Sequence, residues 1–175
     1  DSDVLFLNNW QEESYRVFET FSKAGAVSPT PNSRMIKYLT GNIFFDKGFS
    51  KSTKFTDVMN PQAMIAFAKS IDHETVFKAI NFKKYLTISK GQYRAVIGAG
   101  HFAVTYRSDI FDKLDTRYSK FLAGGKNHYI FDNPAPENGL WRLSTADNYA
   151  YHMGNVLEDW MVREVQELQG NTNEY

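Results

Sequence analysis

The most constraining feature of this chain is a short apolar run, Gly25-Ala26-Val27-Ser28, that follows a helical pattern and is cut off by Pro29-Thr30-Pro31-Asn32. A run of this length, closed by prolines, reads as a short buried strand. Upstream of it, Asp1-Ser2-Asp3-Val4-Leu5-Phe6 passes as the end of another strand, and Trp10, Val17, Phe18 and Phe21 recur at near-helical spacing between Asn8 and Lys23. Gly25 suits the stop of that helix. Strand, helix and strand in this order predict α/β layering.

The rest of the chain fits short strands, long loops and a closing helix. From Gly41 to Asn60 the composition turns to Gly, Lys, Ser, Thr and Asn with scattered Phe, which predicts a long loop with aromatic anchors. Pro61 to Lys69 has a helix start, with Pro in the first turn. Tyr93 to Tyr106 is rich in β-formers and split by Gly98-Ala99-Gly100-His101, so two extended pieces flank a tight turn. Ser108 suits the cap of a short helix through Leu114. Gly124-Gly125 and the stretch from Asp132 to Gly139 read as loops, with short strands at His128 to Phe131 and Trp141 to Thr145. From Asn155 to Gln169, Val156, Leu157, Trp160, Met161, Val165 and Leu168 make one helical face, with Gly170 as its stop.

Composition narrows the function classes. At 175 residues, 42% of them hydrophobic, the chain has enough apolar material for one domain with a core, here taken as residues 1–175. Twenty basic residues balance twenty acidic ones with no basic stripe, which argues against a nucleic-acid partner. With no cysteine there is no disulfide, thiolate metal site or Cys nucleophile, and a reducing, cytoplasmic setting fits. Neither a membrane span nor a signal peptide is visible, which leaves room for peripheral association with a membrane surface.

Two places carry candidate metal chemistry. Asp1 and Asp3 are one residue apart at a strand end, so their side chains point the same way and reach one hard cation. A Mn or Mg ion held there bridges to a diphosphate and neutralises the charge that grows on a leaving group. His152, within Tyr149-Ala150-Tyr151-His152-Met153-Gly154-Asn155, offers a neutral imidazole to a first-row metal. Each motif alone has an ordinary structural reading, a turn for the acidic pair and a packed core residue for the histidine.

Three stretches taken in order resemble one family. Asp1-Ser2-Asp3-Val4, a helix, and Lys23-Ala24-Gly25-Ala26-Val27-Ser28-Pro29 look like a GT-A glycosyltransferase of family 2 type from its DxD motif onward. Gly98 to Phe111 is similar to that family's acceptor-side segment, and Trp141-Arg142-Leu143-Ser144-Thr145 through Asn155 to its late segment with a metal-binding His. The resemblance implies a GT-A-like mixed sheet flanked by helices, of which this chain holds the metal-and-acceptor part. It also implies a metal-dependent, inverting transfer of a sugar from a nucleotide-sugar donor to an acceptor hydroxyl. The metal would be held by Asp1, Asp3 and His152, with Asp1 and Asp3 also on the nucleotide side. The family's upstream nucleotide-binding half is not in this sequence. The chain begins on Asp1 without an initiator Met, so the expectation is a portion of a longer parent, inactive alone, whose α-amino group opposes the cation.

Further residues follow from the resemblance with alternatives open. A catalytic base is expected from Asp132 or Glu137, in a Pro-rich loop that presents them to a cleft, although Asp132-Asn133-Pro134 is also ordinary turn chemistry. Glu158 and Asp159 suit the acidic first turn of the last helix. Arg142 fits a diphosphate oxygen or a surface salt bridge. Gly98-Ala99-Gly100-His101 is a backbone nest, an approach site for an acceptor sugar contacting Gly100 and His101, or a β-bulge. Trp10, Tyr149, Tyr151 and Trp160 serve as a sugar-stacking platform or as core, while His73 and His128 read as structural. The competing class is a non-catalytic carbohydrate-binding or interaction domain derived from a glycosyltransferase.

Overall fold

The computed structural model describes residues 3–48, 50–71, 77–112, 127–154 and 159–170. Asp1, Ser2, His73, Lys113, Leu114, Gly124, Gly125 and residues 155–158 of the expected final helix lie outside the described residues, as does the side chain of His128. The architecture is α/β: a six-stranded mixed sheet with helices on both faces, and a separate two-stranded ribbon.

The buried run is a central strand of that sheet. Strand β2 (Ala24–Ser28) is buried at every position and lies parallel to β7 (Trp141–Ser144), which is equally buried. Two sheltered faces explain why both strands lack a polar alternation. Gly25 is therefore a strand residue and not the helix stop. A Cβ there would stand 2.7 Å from Leu140 Cβ and 3.0 Å from Ala135 Cβ, so its absence lets the 134–140 segment close onto the sheet.

Around this pair the order is β3 (Thr53–Asp57), β4 (Lys84–Lys90), β5 (Tyr93–Ile97), β7, β2 and β6 (Thr105–Tyr106), with all neighbours antiparallel except β7 and β2. Alternate residues divide between two cores, as the pleat requires. Val27, Leu86, Ala95, Ile97 and Leu143 face a cluster containing Val17 and Phe21 from the α1 segment (α1, Trp10–Thr20) and Ile43 of α2 (Gly41–Lys47). Tyr85 and Val96 face the opposite cluster, with Met64, Phe67 and Ala68 of α3 (Pro61–Ser70). Helix α3 starts where Pro61 predicts, with that proline in the first turn, and the structure adds a cap that the sequence reading did not name: Asn60 Oδ1 accepts the Ala63 N–H at 3.0 Å.

Several segments differ from the sequence expectation. The 41–60 stretch is not one loop; it contains α2 and β3, because Ile43 and the pairing of Phe55 with Leu86 tie it to the sheet. Residues 128–131 belong to helix α4 (Asn127–Asp132), and the expected loop after it holds a single turn, α5 (Pro134–Glu137). The helix expected from Ser108 is a 3-10 turn over Ser108–Phe111 with Arg107 in the cap position. The last helix, α6, is described over Asp159–Gly170. Among the described residues no helix is long and apolar enough to cross a membrane.

Candidate functional site

The ribbon brings the two distant motifs together. Strands β1 (Val4–Phe6) and β8 (Ala150–His152) pair antiparallel with Val4 opposite His152, and the Met153 N–H closes the pair on Asp3 O at 2.7 Å. The ribbon is anchored at the end of β2, where Tyr149 N–H donates to Pro29 O at 2.8 Å and Thr30 Oγ1 donates to Ala150 O at 3.0 Å. Asp3 is the first residue beyond the strand, so its carboxylate reaches the imidazole: His152 Nδ1 stands 3.4 Å from Asp3 Oδ2. Both side chains are partly exposed.

The closeness of a carboxylate and an imidazole makes this pair a cation-binding candidate. Gly154 N–H donates to His152 Nδ1 at 3.3 Å, so a cation held between that nitrogen and Asp3 takes the place of this N–H. Metal–ligand bonds of roughly 2.1 Å, set at cis-octahedral to tetrahedral angles, put two ligand atoms roughly 3.0 to 3.4 Å apart. The observed separation fits. Among the described residues no group of three His, Asp or Glu side chains gathers, and Asp1, the other expected ligand, lies outside them.

His152 also lines a cavity of about 570 Å³. Gly100 and His101 line the same cavity, so the structure brings the expected acceptor-side turn and the expected metal-side histidine to one place. The turn is held by close backbone approach. Gly98 adopts φ +105°, and a Cβ on it would stand 2.7 Å from the Met35 carbonyl carbon, so only glycine lets the 98–100 turn seat against Met35. Ser144 Oγ donates to Gly98 O at 3.0 Å, fixing the turn to β7. Met35, Phe67, Phe77 and Phe102 supply the apolar wall of the cavity, none of which the sequence reading singled out. Phe102 packs on His152 with ring centroids 6.1 Å apart.

Arg142 and Asp132 are placed elsewhere, and their expected roles need correction. Both side chains are fully buried and paired, Arg142 Nη1 to Asp132 Oδ1 at 2.7 Å. Arg142 also donates to Asp132 O and Ala99 O, each at 3.1 Å. Neither a surface salt bridge nor contact with an open cleft describes it. Asp132 ends helix α4 in the interior, where Tyr106 Oη donates to its Oδ1 at 3.3 Å. Burial, and next the Asp132 charge, hold the Tyr106 phenol well above its ordinary range. The pair ties α4 to β7 and to the Gly98 turn, a positioning role. Glu137 is exposed on α5 and does not line the cavity.

The guanidinium that does line the cavity is Arg34, exposed in the 3-10 turn after β2 and, among the described residues, in no ion pair. Its signal in the sequence is slight, an Arg in the polar stretch after a buried strand. Of the aromatic platform candidates, Tyr151 is core, packing on Trp160 at 5.1 Å between ring centroids, and Trp10 stacks on Phe6 at 4.3 Å. Tyr149 lines a separate cleft of about 300 Å³ with Glu13, Tyr93 and Asp147. Compared with protein-family models, with curated proteins and with solved structures, the chain matches none.

Proposed function

We propose that this chain carries the metal-and-acceptor side of a nucleotide-sugar-dependent glycosyltransferase of GT-A type. The observation that supports this most is the approach of Asp3 and His152, from the two ends of the sequence, to 3.4 Å at the lip of a cavity that Gly100 and His101 also line. In this reading Asp3 and His152 hold a divalent cation, and the imidazole favours Mn over Mg, which prefers oxygen ligands. The cation, when bound, offsets the negative charge that develops on the departing diphosphate. Arg34, with its rigid fork of donors, takes a phosphate oxygen in the role first expected of Arg142. Asp132 acts through packing, and His101 is the described lining residue suited to accept a proton from an acceptor hydroxyl.

The test is calorimetric titration of the chain with manganese alone, which asks nothing of a nucleotide-binding half. Asp3→Ala and His152→Ala each lower manganese binding at least tenfold, while Asp109→Ala, a surface change, leaves it unaltered. Undiminished manganese binding in both site variants would sink the assignment. One observation favours the second reading, a non-catalytic carbohydrate-binding domain: among the described residues that line the cavity there is no carboxylate to serve as base. Manganese binding that depends on Asp3 and His152 distinguishes the two, since the second reading requires none.

A further inference from the structure

We propose that the cleft of about 300 Å³ between α1, the β4–β5 turn and the segment after β7 binds one neutral pyranose, a hexose unit of a glycan. It shares no lining residue with the larger cavity and uses neither Asp3 nor His152, so it goes beyond the reading above. Topology sets its position. Strands β2 and β7 are the parallel pair of the sheet, and open α/β sheets gather ligands beyond the carboxyl ends of such strands. Ala146, Asp147 and Tyr149 follow that end of β7, and the antiparallel neighbour β5 brings Tyr93 and Arg94 to the same cleft. Both backbone groups of Tyr149 are held: its N–H donates to Pro29 O at 2.8 Å, and its O accepts the Leu7 N–H at 2.9 Å. Of the four aromatics expected to stack on a sugar, Tyr151 and Trp160 pack on each other and Trp10 on Phe6, while Tyr149 lines this cleft.

The polar groups of the cleft have bonding capacity to spare. Among the described residues, the half-buried Arg94 guanidinium is in no ion pair or hydrogen bond, and neither the Gln92 carboxamide nor the Tyr149 hydroxyl makes a hydrogen bond. Asp147 engages only Oδ1, which accepts the Asn148 N–H at 2.7 Å. Glu13, by contrast, is occupied: Arg16 holds its Oε1 at 2.8 Å, and Tyr93 Oη donates to its Oε2 at 3.4 Å. Burial, and then the Glu13 and Asp147 charges, hold the Tyr149 phenol above its ordinary range, so it keeps a proton to donate. The spare set is therefore one donor, one acceptor and two groups that do both, with no net charge. A sugar hydroxyl also donates and accepts, so neighbouring hydroxyls of a pyranose employ all four. A zwitterionic amino acid meets only the guanidinium and the carboxylate, and an anion alone is repelled by Asp147. The C–H face of the pyranose rests on Tyr149, with Met59 at the rim. The volume is at the small end for ligand pockets and suits a single ring.

The experiment is an NMR titration of the wild-type chain, without metal or nucleotide, with the methyl glycosides of glucose, galactose, mannose and N-acetylglucosamine at millimolar concentrations. At least one of them shifts the Met59 methyl, the Gln92 carboxamide and the Arg94 side-chain N–H signals together and saturably. Alanine, the zwitterionic control, moves none of them. Gln92→Ala, an exposed change that leaves the packing intact, weakens the preferred glycoside about threefold or more. Arg94→Met, which keeps the apolar stem, weakens it about tenfold or more. The wild-type shifts and the Gln92 variant keep the test decisive however Arg94→Met folds. Absence of saturable shifts with all four glycosides, saturable shifts with alanine, or an affinity that Gln92→Ala leaves unaltered would overturn the proposal. Because neither metal nor nucleotide is present, failure here leaves the manganese assignment standing, and absence of manganese binding leaves this site standing.

Discussion

Replacing Asp132 by Ala separates a structural carboxylate from a catalytic one. The variant leaves the Arg142 guanidinium, fully buried, with two carbonyl acceptors at 3.1 Å and no counter-charge. Removing one partner of a buried pair costs about 3–5 kcal/mol, and the Tyr106 hydroxyl also loses its acceptor, about 1 kcal/mol more. A loss near 5 kcal/mol is a large part of the roughly 5–15 kcal/mol that holds a domain together. In urea, with a slope of roughly 2 kcal/mol/M, the unfolding midpoint falls by about 2.5 M. The double variant Asp132→Leu with Arg142→Met removes both charges. It leaves the carbonyls of residues 132 and 99 without their donor and the Tyr106 hydroxyl without its acceptor, about 1 kcal/mol each, so it is destabilised by about 3 kcal/mol or less. Urea unfolding followed by far-ultraviolet circular dichroism measures all of these. If Asp132→Ala stays within about 1 kcal/mol of wild type, the buried-anchor reasoning is wrong and the carboxylate returns as a candidate base.

Three further outcomes follow from local geometry. Gly98→Ala is destabilised by about 2 kcal/mol or more in thermal unfolding, since its φ is +105° and its Cβ meets Met35 backbone, whereas Gly100→Ala stays within about 1 kcal/mol because nothing stands nearer than 3.8 Å. Tyr85→Phe loses about 1–2 kcal/mol by chemical denaturation, because the phenol accepts from Met59 N–H at 3.0 Å and donates to Ala146 O at 2.8 Å. Burial raises the phenol pKa of Tyr85, Tyr93, Tyr106, Tyr149 and Tyr151 above the ordinary value of 10.0. The folded state then holds protons that the unfolded chain releases, so stability is complete below pH 10 and declines above it. Of the ten tyrosines, these five ionise together with unfolding; phenolate absorbance rising gradually to the level of all ten in a chain that stays folded would contradict their burial.

Much of the local architecture is legible in the sequence. Helix α3 announces itself through Pro61, and the strand over residues 25–28 through an apolar run ended by prolines, because proline geometry and short-range hydrophobic patterns act within a few residues. Where local signals conflict, contacts between distant segments decide. The apolar pattern of residues 128–131 suits a strand as well as a helix, and the structure there is α4. Strand β4 mixes Lys84, Thr87, Ser89 and Lys90 with apolar residues, and it is defined by lying between β3 and β5.

The site divides in the same way. Which residue types suit a cation, Asp3 and His152, follows from the chemistry of their side chains and is visible in the sequence alone. That they stand 3.4 Å apart is settled by the β1–β8 register. Which arginine reaches the cavity could not be read from residue type, since Arg34 and Arg142 carry the same group. Tertiary packing buries Arg142 between Asp132 and Ala99 and leaves Arg34 at the rim. The physical reason is that a side chain's chemistry belongs to the residue, while its burial and partners belong to contacts made only when remote segments close on one another.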